Sequence, residues 1–351
     1  MKKISAIFFV LFLIFSLSAC NSTSTSSPKK NDEKETKKEQ AMDQELEDTK
    51  KMFEPLGEMP IPKDNPMTDE KVELGKKLFA DSRLSGNNKF SCMTCHIPGA
   101  GYGDGLEKFI GFEGAEGPRN SPTIINSGYY EENFWDGRAK SLEEQALGPI
   151  ESEIEMNQDL DELVKELNEV PEYVLEFENV FDDEITIDNV TKAIAAFERT
   201  IVINDTPFDK FLEGDDEAIS ADAKDGMKLF AGKAGCITCH AGPMLSDNKY
   251  HNLGITGDEG RYEVTKKEED KGAFRTPGLR GVAHTAPFMH DGSLETLKDV
   301  VEFYNKGGGE HPNKSPLIKP LHLTDKEVDA LVAFLESMSG EVPKIDMPDV
   351  P

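Results

Sequence analysis

Cys92, Cys95 and His96 spell C-x-x-C-H, and Cys236, Cys239 and His240 spell it again in the second half of the chain. The pattern is the covalent attachment site of a c-type haem. Two thiols add across the two vinyl groups of the ring, and the next residue swings under it to ligate iron through an imidazole. A zinc site or a disulfide accounts for the cysteines but leaves the histidines unexplained. The chain therefore reads as a dihaem protein.

There are five cysteines, and the two motifs use four of them, leaving Cys20. Cys20 closes the run Leu17-Ser18-Ala19-Cys20, after Lys2, Lys3 and an apolar stretch from Ile4 to Leu17. This reads as a lipoprotein signal peptide over residues 1–19, with Cys20 the acylated first residue of the mature chain. A membrane-spanning helix fits less well, because the run is short for a bilayer and stops at small residues. Export agrees with the haems, since c-type attachment takes place outside the cytoplasm. The expected location is extracytoplasmic, on a bacterial membrane through the lipid anchor.

The formal charge is -28. Such an acidic surface repels nucleic acid and anionic lipid, and it suits docking to a basic partner as well as plain solubility. Residues 20–59, rich in Ser, Thr, Lys, Glu and Asp over most of their length, read as a flexible tether, with the folded body starting near Pro60. Beyond it, residues 60–204 and 205–340 are expected to form two domains, and 341–351 a tail.

An internal repeat supports that division. Leu74-Gly75-Lys76-Lys77-Leu78-Phe79 precedes the first motif, and Asp225-Gly226-Met227-Lys228-Leu229-Phe230 precedes the second. Both read as short helices, with Thr68 and Ser220 as N-caps and Gly75 and Gly226 open to close packing. Each half also ends in an amphipathic helix: Val190, Ile194, Phe197 and Ile201 follow a 3.6 period, and so do Val328, Leu331, Val332, Leu335 and Met338. Thr324 and Glu327 make a capping box for the latter. Few segments alternate like strands, and Gly (29) and Pro (20) are plentiful between the helices. The fold class is mainly α: two tandem cytochrome c-like domains with long loops, each carrying one covalent haem c. The mixed charges of 258–271 read as an exposed loop and nothing more.

Histidine separates the two haems. Of the seven histidines, His96 is the only one before His240. The first iron then has an open position unless a methionine or a residue of the other half reaches it, and an open position is what peroxide binding needs.

The ordered series Cys92 to His96, Gly117-Pro118-Arg119-Asn120-Ser121-Pro122-Thr123, Phe134-Trp135-Asp136-Gly137-Arg138, Gln145, Glu155-Met156-Asn157, Cys236 to His240, Arg275 to Arg280 and Thr285 to Gly292 resembles the bacterial dihaem cytochrome c peroxidase family, which includes the MauG branch. The resemblance runs from about residue 60 to 340. It implies that the first haem is the peroxidatic centre, with His96 proximal, Gln145 and Glu155 distal, and Glu155 as the acid/base group. It implies that Trp135, the sole tryptophan, lies between the haems. By the same resemblance, Asn120 and the carbonyls of Thr285 and Pro287 would hold a calcium ion at the domain interface. Arg275 and Arg280 are candidates for pairing with haem propionates. Family members are often homodimers.

Two positions depart from the better-known peroxidases. Where those carry a histidine that blocks the first haem until the second is reduced, this chain has Phe112, which cannot ligate iron; the first haem is therefore expected to be open in the resting ferric protein. Tyr304 stands where peroxidases have the methionine ligand of the second haem and where the MauG branch has a tyrosine. A buried structural tyrosine is the competing reading, and Met289 the competing ligand. Three functions remain. The first is reduction of hydrogen peroxide with electrons from a small c-type cytochrome or copper protein. The second is MauG-like oxidation of a protein substrate, and the third is electron transfer without peroxide chemistry.

Overall fold

The computed structural model describes residues 29–346 and 348–351; the leader and Cys20 lie outside them. In chain order the helices are α1 (Lys29–Lys50), α2 (Asp69–Ala80), α3 (Cys92–Cys95), α4 (Leu142–Glu151), α5 (Leu160–Asn168), α6 (Pro171–Phe181), α7 (Ile187–Glu198), α8 (Pro207–Leu212), α9 (Ala221–Ala231), α10 (Tyr262–Thr265), α11 (Leu297–Asn305) and α12 (Asp325–Ser337). One antiparallel pair, β1 (Tyr250–His251) with β2 (Phe274–Arg275), is the sheet among the described residues, with Tyr250 opposite Arg275 and His251 opposite Phe274. Among the described residues no helix is long and apolar enough to cross a membrane.

Two apolar cores divide the chain. In the first, Leu74, Leu78 and Phe79 of α2 pack with Val190, Ile194 and Phe197 of α7. In the second, Ala223, Met227 and Phe230 of α9 pack with Val328, Leu331 and Phe334 of α12. The four helices start where their capping hydroxyls place them: Thr68, Thr186, Ser220 and Thr324 each accept a backbone N–H from the first turn.

Each pair crosses at a glycine. A Cβ on Gly75 would lie 1.9 Å from the carbonyl oxygen of Ala193, and one on Gly226 would lie 2.0 Å from that of Ala330. The helices therefore touch backbone to backbone, and the repeat seen in the sequence is a repeat of this contact.

Three expectations need correction. The stretch read as a tether forms helix α1 from Lys29, because Lys, Glu and Gln are strong helix formers even without an apolar face. Its end joins the body before Pro60: Leu46 packs against the second core, and Phe53 is buried with its ring 5.2 Å from Phe208 and 5.8 Å from Phe334. The C-terminal tail is also engaged, since Val342 and Ile345 pack on the first core and Tyr102 Oη donates to Pro343 O at 2.9 Å. Finally, 258–271 contains α10 and a charged clamp described below, so it is more than an exposed loop.

Gly75→Ala and Gly226→Ala should each lower stability by about 3 kcal/mol, because the obstructing atom is backbone and the helices must separate. Thermal denaturation checks this, with Gly99→Ala, which has open space around it, as the near-neutral control.

Candidate functional site

The two attachment motifs are held alike. His96 Nδ1 lies 3.1 Å from Tyr102 O, and His240 Nδ1 lies 2.9 Å from Leu245 O. Both carbonyl-bearing residues adopt positive φ, 57° at Tyr102 and 54° at Leu245, which turns the peptide back toward the ring. A carbonyl accepts only from an N–H, so Nδ1 is the protonated nitrogen and Nε2 carries the free lone pair. Burial lowers the pKa of both imidazoles, which keeps them neutral as an iron ligand must be. Phe79 and Phe230 pack at equivalent places, each with its centroid 6.4 Å from the histidine ring.

Above each motif opens a cavity, of about 380 Å³ in the first half and about 350 Å³ in the second. Cys92, Cys95, His96, Gln145, Pro149, Glu155 and Trp135 line the first. Cys236, Cys239, His240, Met289, His290, Tyr304 and again Trp135 line the second. Trp135 and Arg275 face both cavities, and Trp135 Nε1 donates to Asn120 O at 2.9 Å.

Glu155 lies beyond the end of a helix rather than on a helix face. Helix α4 ends at Glu151, and the turn after it leaves Glu151 and Glu153 exposed while bringing Glu155 inward. Burial raises the pKa of its carboxyl, and a hydrogen bond from Ser152 and the charge of Arg138 oppose the shift.

A second internal repeat, missed in the sequence, relates the distal walls. The turns at Asp136-Gly137 and Asp291-Gly292 are closed by the bridges Asn133 with Ala139 and Phe288 with Leu294, and both glycines have φ near 68°, at 68° and 69°. Each turn leads to a helix capped by Ser141 or Thr296, so Leu142 of α4 corresponds to Leu297 of α11. Counting along the helices then pairs Gln145 with Val300 and Pro149 with Tyr304. All four line their respective cavities. The place that a phenol takes in the second cavity is thus taken in the first by a proline, which has no donor atom on its side chain. The signal was the spacing from Asp-Gly to the helix.

Tyr304 makes no hydrogen bond to a described residue, and its phenol lies near Cys236 and Cys239, where burial pushes its pKa up. His290 stacks on Phe274 at 3.5 Å between centroids, and burial lowers its pKa to about 4. Phe112 is not in the lining of the first cavity. Its N–H donates to Glu155 O at 2.9 Å, which fixes this loop against the distal turn, and Phe109 is the loop aromatic that lines the cavity.

The first cavity fits a haem by its unsatisfied polar atoms as well as by its motif. Ser127 Oγ, Asn133 Nδ2, Arg275 Nη1 and Glu198 Oε2 are buried without a partner, and all four residues line the first cavity. Buried polar groups demand partners, and three donors of this kind suit a propionate carboxylate. Burial pushes the Glu198 carboxyl up to about 8, so it is neutral at pH 7 and can itself donate. Arg280 differs from expectation. Its guanidinium pairs with Asp209 and donates to Pro243 O at 2.8 Å and Glu54 O at 3.2 Å, so the structure assigns its nitrogens to the protein. Asn120 Nδ2 donates to Leu106 O at 2.8 Å, and Asn120, Thr285 and Pro287 all line the second cavity. Cys239, Asp247 and His251 form a cluster of metal-ligand types, but Cys239 is a motif thiol and Asp247 bonds His251 at 2.9 Å, so the cluster belongs to the second haem site.

The segment after Asp258 grips the turn that carries Trp135. Asp258 binds Arg119 through two contacts of 2.6 and 2.9 Å, and Arg119 also binds Asp136 at 2.6 Å. Arg261 Nη1 donates to Asp136 O at 2.8 Å and to Gly137 O at 2.7 Å. Sequence alone could not pair residues so far apart.

Comparison with known proteins agrees with this geometry. The family model for di-haem cytochrome c peroxidase matches residues 69–217, and that for cytochrome c matches 223–339. The chain is 43% identical over 339 residues to cytochrome-c peroxidase IdrP1 of Denitromonas iodatirespirans, covering 85% of this chain and 90% of that protein. It is 42% identical over 317 residues to the methylamine utilization protein MauG of Methylorubrum extorquens, covering 89% and 90%. Among solved structures, a MauG-like protein associated with microbial copper homeostasis superposes with a TM-score of 0.76 at 32% identity, covering 83% of this chain and 94% of that one. The chain belongs to the dihaem cytochrome c peroxidase family, each of its halves a cytochrome c-type unit for one covalent haem.

Proposed function

We propose that the protein reduces hydrogen peroxide to water at the first cavity, with electrons from a small redox protein entering through the second. The observation that carries this reading is Pro149, which stands at the distal place that Tyr304 holds in the other half. A haem held by Cys92, Cys95 and His96 would supply the iron for peroxide chemistry beside Pro149, whose side chain has no donor atom, whereas Tyr304 would offer a phenol to the haem of the second half.

The residues around the open position are suited to moving protons. Glu155 takes the proton of the bound peroxide and returns it to the departing oxygen, so that water leaves. Its burial favours the neutral acid, which suits the second half of that cycle, while Ser152 and Arg138 keep the ionised form within reach for the first. Gln145 offers an amide to hold the peroxide beside it. His96 and His240 would each ligate one haem, and Trp135, which borders both cavities, would carry the electron between them. Asn120 with the carbonyls of Thr285 and Pro287 supplies oxygen donors for a calcium ion at this junction. Cys20 anchors the chain to a bacterial membrane outside the cytoplasm.

The phenol of Tyr304 favours a second reading, MauG-like oxidation of a protein substrate. As a ligand, the Tyr304 phenolate would favour the ferric and higher oxidation levels of the second haem, the chemistry that sharing of peroxide's oxidising equivalents would require. A long-lived near-infrared band after peroxide addition would mark such sharing, and loss of that band in Tyr304→Phe would assign it to the phenolate.

Fully ferric, haem-loaded protein mixed with stoichiometric hydrogen peroxide should react in a stopped-flow spectrometer without prior reduction. A reaction that begins only after one electron is added would place a ligand on the first iron and remove the role given to Pro149. Glu155→Gln should slow the reaction about 10²- to 10⁴-fold with the resting spectrum unchanged. In the unsubstituted protein the rate should fall as pH drops through a pKa above 4.5, because burial raises the group that must be ionised to accept the proton. That limb of the pH profile should vanish in Glu155→Gln.

A further inference from the structure

Tyr250 lies outside both cavities, yet it packs on the turn that carries Trp135. It pairs with Arg275 across β1 and β2, and Arg275 N donates to Trp135 O at 2.9 Å. A Cβ on Gly137 would fall 1.6 Å from Tyr250 Oη, so the phenol rests against the backbone two residues beyond the indole. Its hydroxyl donates to Glu132 Oε2 at 2.5 Å. Arg261 binds the same carboxylate at 3.0 Å and covers the Tyr250 ring at 4.2 Å from its centroid.

A phenol gives up an electron at an accessible potential only if its proton has somewhere to go in the same step, because the protonated radical is a very strong acid. Most tyrosines here lack that outlet. Tyr102 and Tyr129 donate to backbone carbonyls, which are poor bases, and Tyr130 accepts a bond from Gly278 N. Tyr173 does donate to a carboxylate, Asp81, but it belongs to α6 and lines neither cavity. Tyr250 combines a carboxylate acceptor with contact to the Trp135 turn.

We propose that Tyr250 is a redox relay, the station to which an oxidising equivalent passes from Trp135. The inference rests on the peroxidase reading above. Hydrogen peroxide is the oxidant: its reduction to two waters takes two electrons and two protons; Trp135 supplies one of those electrons, a bound haem would supply the other and be restored by the donor, and the two protons come from solvent. Tyr250 then gives one electron to oxidised Trp135 and its hydroxyl proton to Glu132, so that the Tyr250 O–H bond breaks, the Glu132 O–H bond forms and the indole is restored. The neutral tyrosyl radical is finally reduced by one electron from the donor, and Glu132 returns the proton. Burial and the bond to Glu132 both favour the protonated phenol at rest, so the proton moves only on oxidation. Tyr250 and Glu132 are half-buried, which opens the relay toward the surface.

The test is freeze-quench electron paramagnetic resonance of the haem-loaded full chain, mixed with hydrogen peroxide in the absence of reductant, with peroxide consumption followed in parallel. A radical signal that narrows when the protein carries ring-deuterated tyrosine is expected. Tyr250→Phe, which keeps the ring, should abolish that signal while peroxide is still consumed. Glu132→Gln, which can hold the hydrogen bond but not take the proton, should lower its yield at least about tenfold. A tyrosyl signal unchanged in Tyr250→Phe, or none in the unsubstituted protein although peroxide is consumed, would overturn the relay alone. Failure of the unsubstituted protein to consume peroxide would overturn the peroxidase reading and the relay with it.

Discussion

Each half of the molecule depends on one contact, a helix crossing at a residue without a side chain. Because a carbonyl of α7 or α12 occupies the space of a Cβ at Gly75 or Gly226, the leading helix lies close enough for its phenylalanine to serve two surfaces at once. Phe79 sits 5.2 Å from Phe197 and 6.4 Å from His96, and Phe230 sits 5.3 Å from Phe334 and 6.4 Å from His240. The spacing of the two helices thus sets the floor under the proximal imidazole. In the second half the attachment turn follows soon after that helix, which ends at Ala231, whereas in the first the segment 81–91 separates Ala80 from Cys92.

With the proximal side held alike, the difference in chemistry falls to the opposite wall. There a tight Asp-Gly turn leads to a capped helix lining each cavity, and the position held by Pro149 or Tyr304 is one of those that decide what the wall offers. A proline at that position presents only carbon, whereas a tyrosine presents an oxygen that binds ferric iron well once deprotonated. The phenol is harder than usual to deprotonate in its buried setting, and a trivalent metal is the kind of neighbour that reverses the preference. In the proposed reading the internal repeat therefore gives two roles from one scaffold through two paired exchanges, Gln145 against Val300 and Pro149 against Tyr304.

What the sequence made legible was local. The attachment motifs, the 3.6 periodicity and the capping hydroxyls act within one or two turns, and the helices appear with those caps. What it hid was decided by partners distant along the chain. Arg280 reads as a candidate for a haem propionate until Asp209 is placed beside it, and 258–271 reads as an exposed loop until Arg119 and Asp136 meet its charges. The stretch before Pro60 misled for another reason: composition measures how much can be buried on average, while a single Phe53 entering an aromatic cluster is enough to dock its neighbours. Phe112 drew attention by identity, yet the bond from its N–H to Glu155 O leaves Phe109 as the ring that lines the cavity.

The junction around Trp135 is held by ions rather than by apolar packing. Arg119, Asp136 and Asp258 are all largely buried, with side chains 14%, 5% and 18% exposed. Buried ion pairs add little net stability, because desolvation offsets most of the attraction, but their hydrogen bonds admit few arrangements. A charge path needs that kind of constraint, since transfer depends on where the indole sits and much less on how tightly the halves adhere. The same clamp brings Arg261 over Tyr250 and against Glu132, so the groups that fix the tryptophan turn also fix the phenol beside it. In the proposed reading, one set of long-range ion pairs aligns the electron route between the cavities and the route leading out of them.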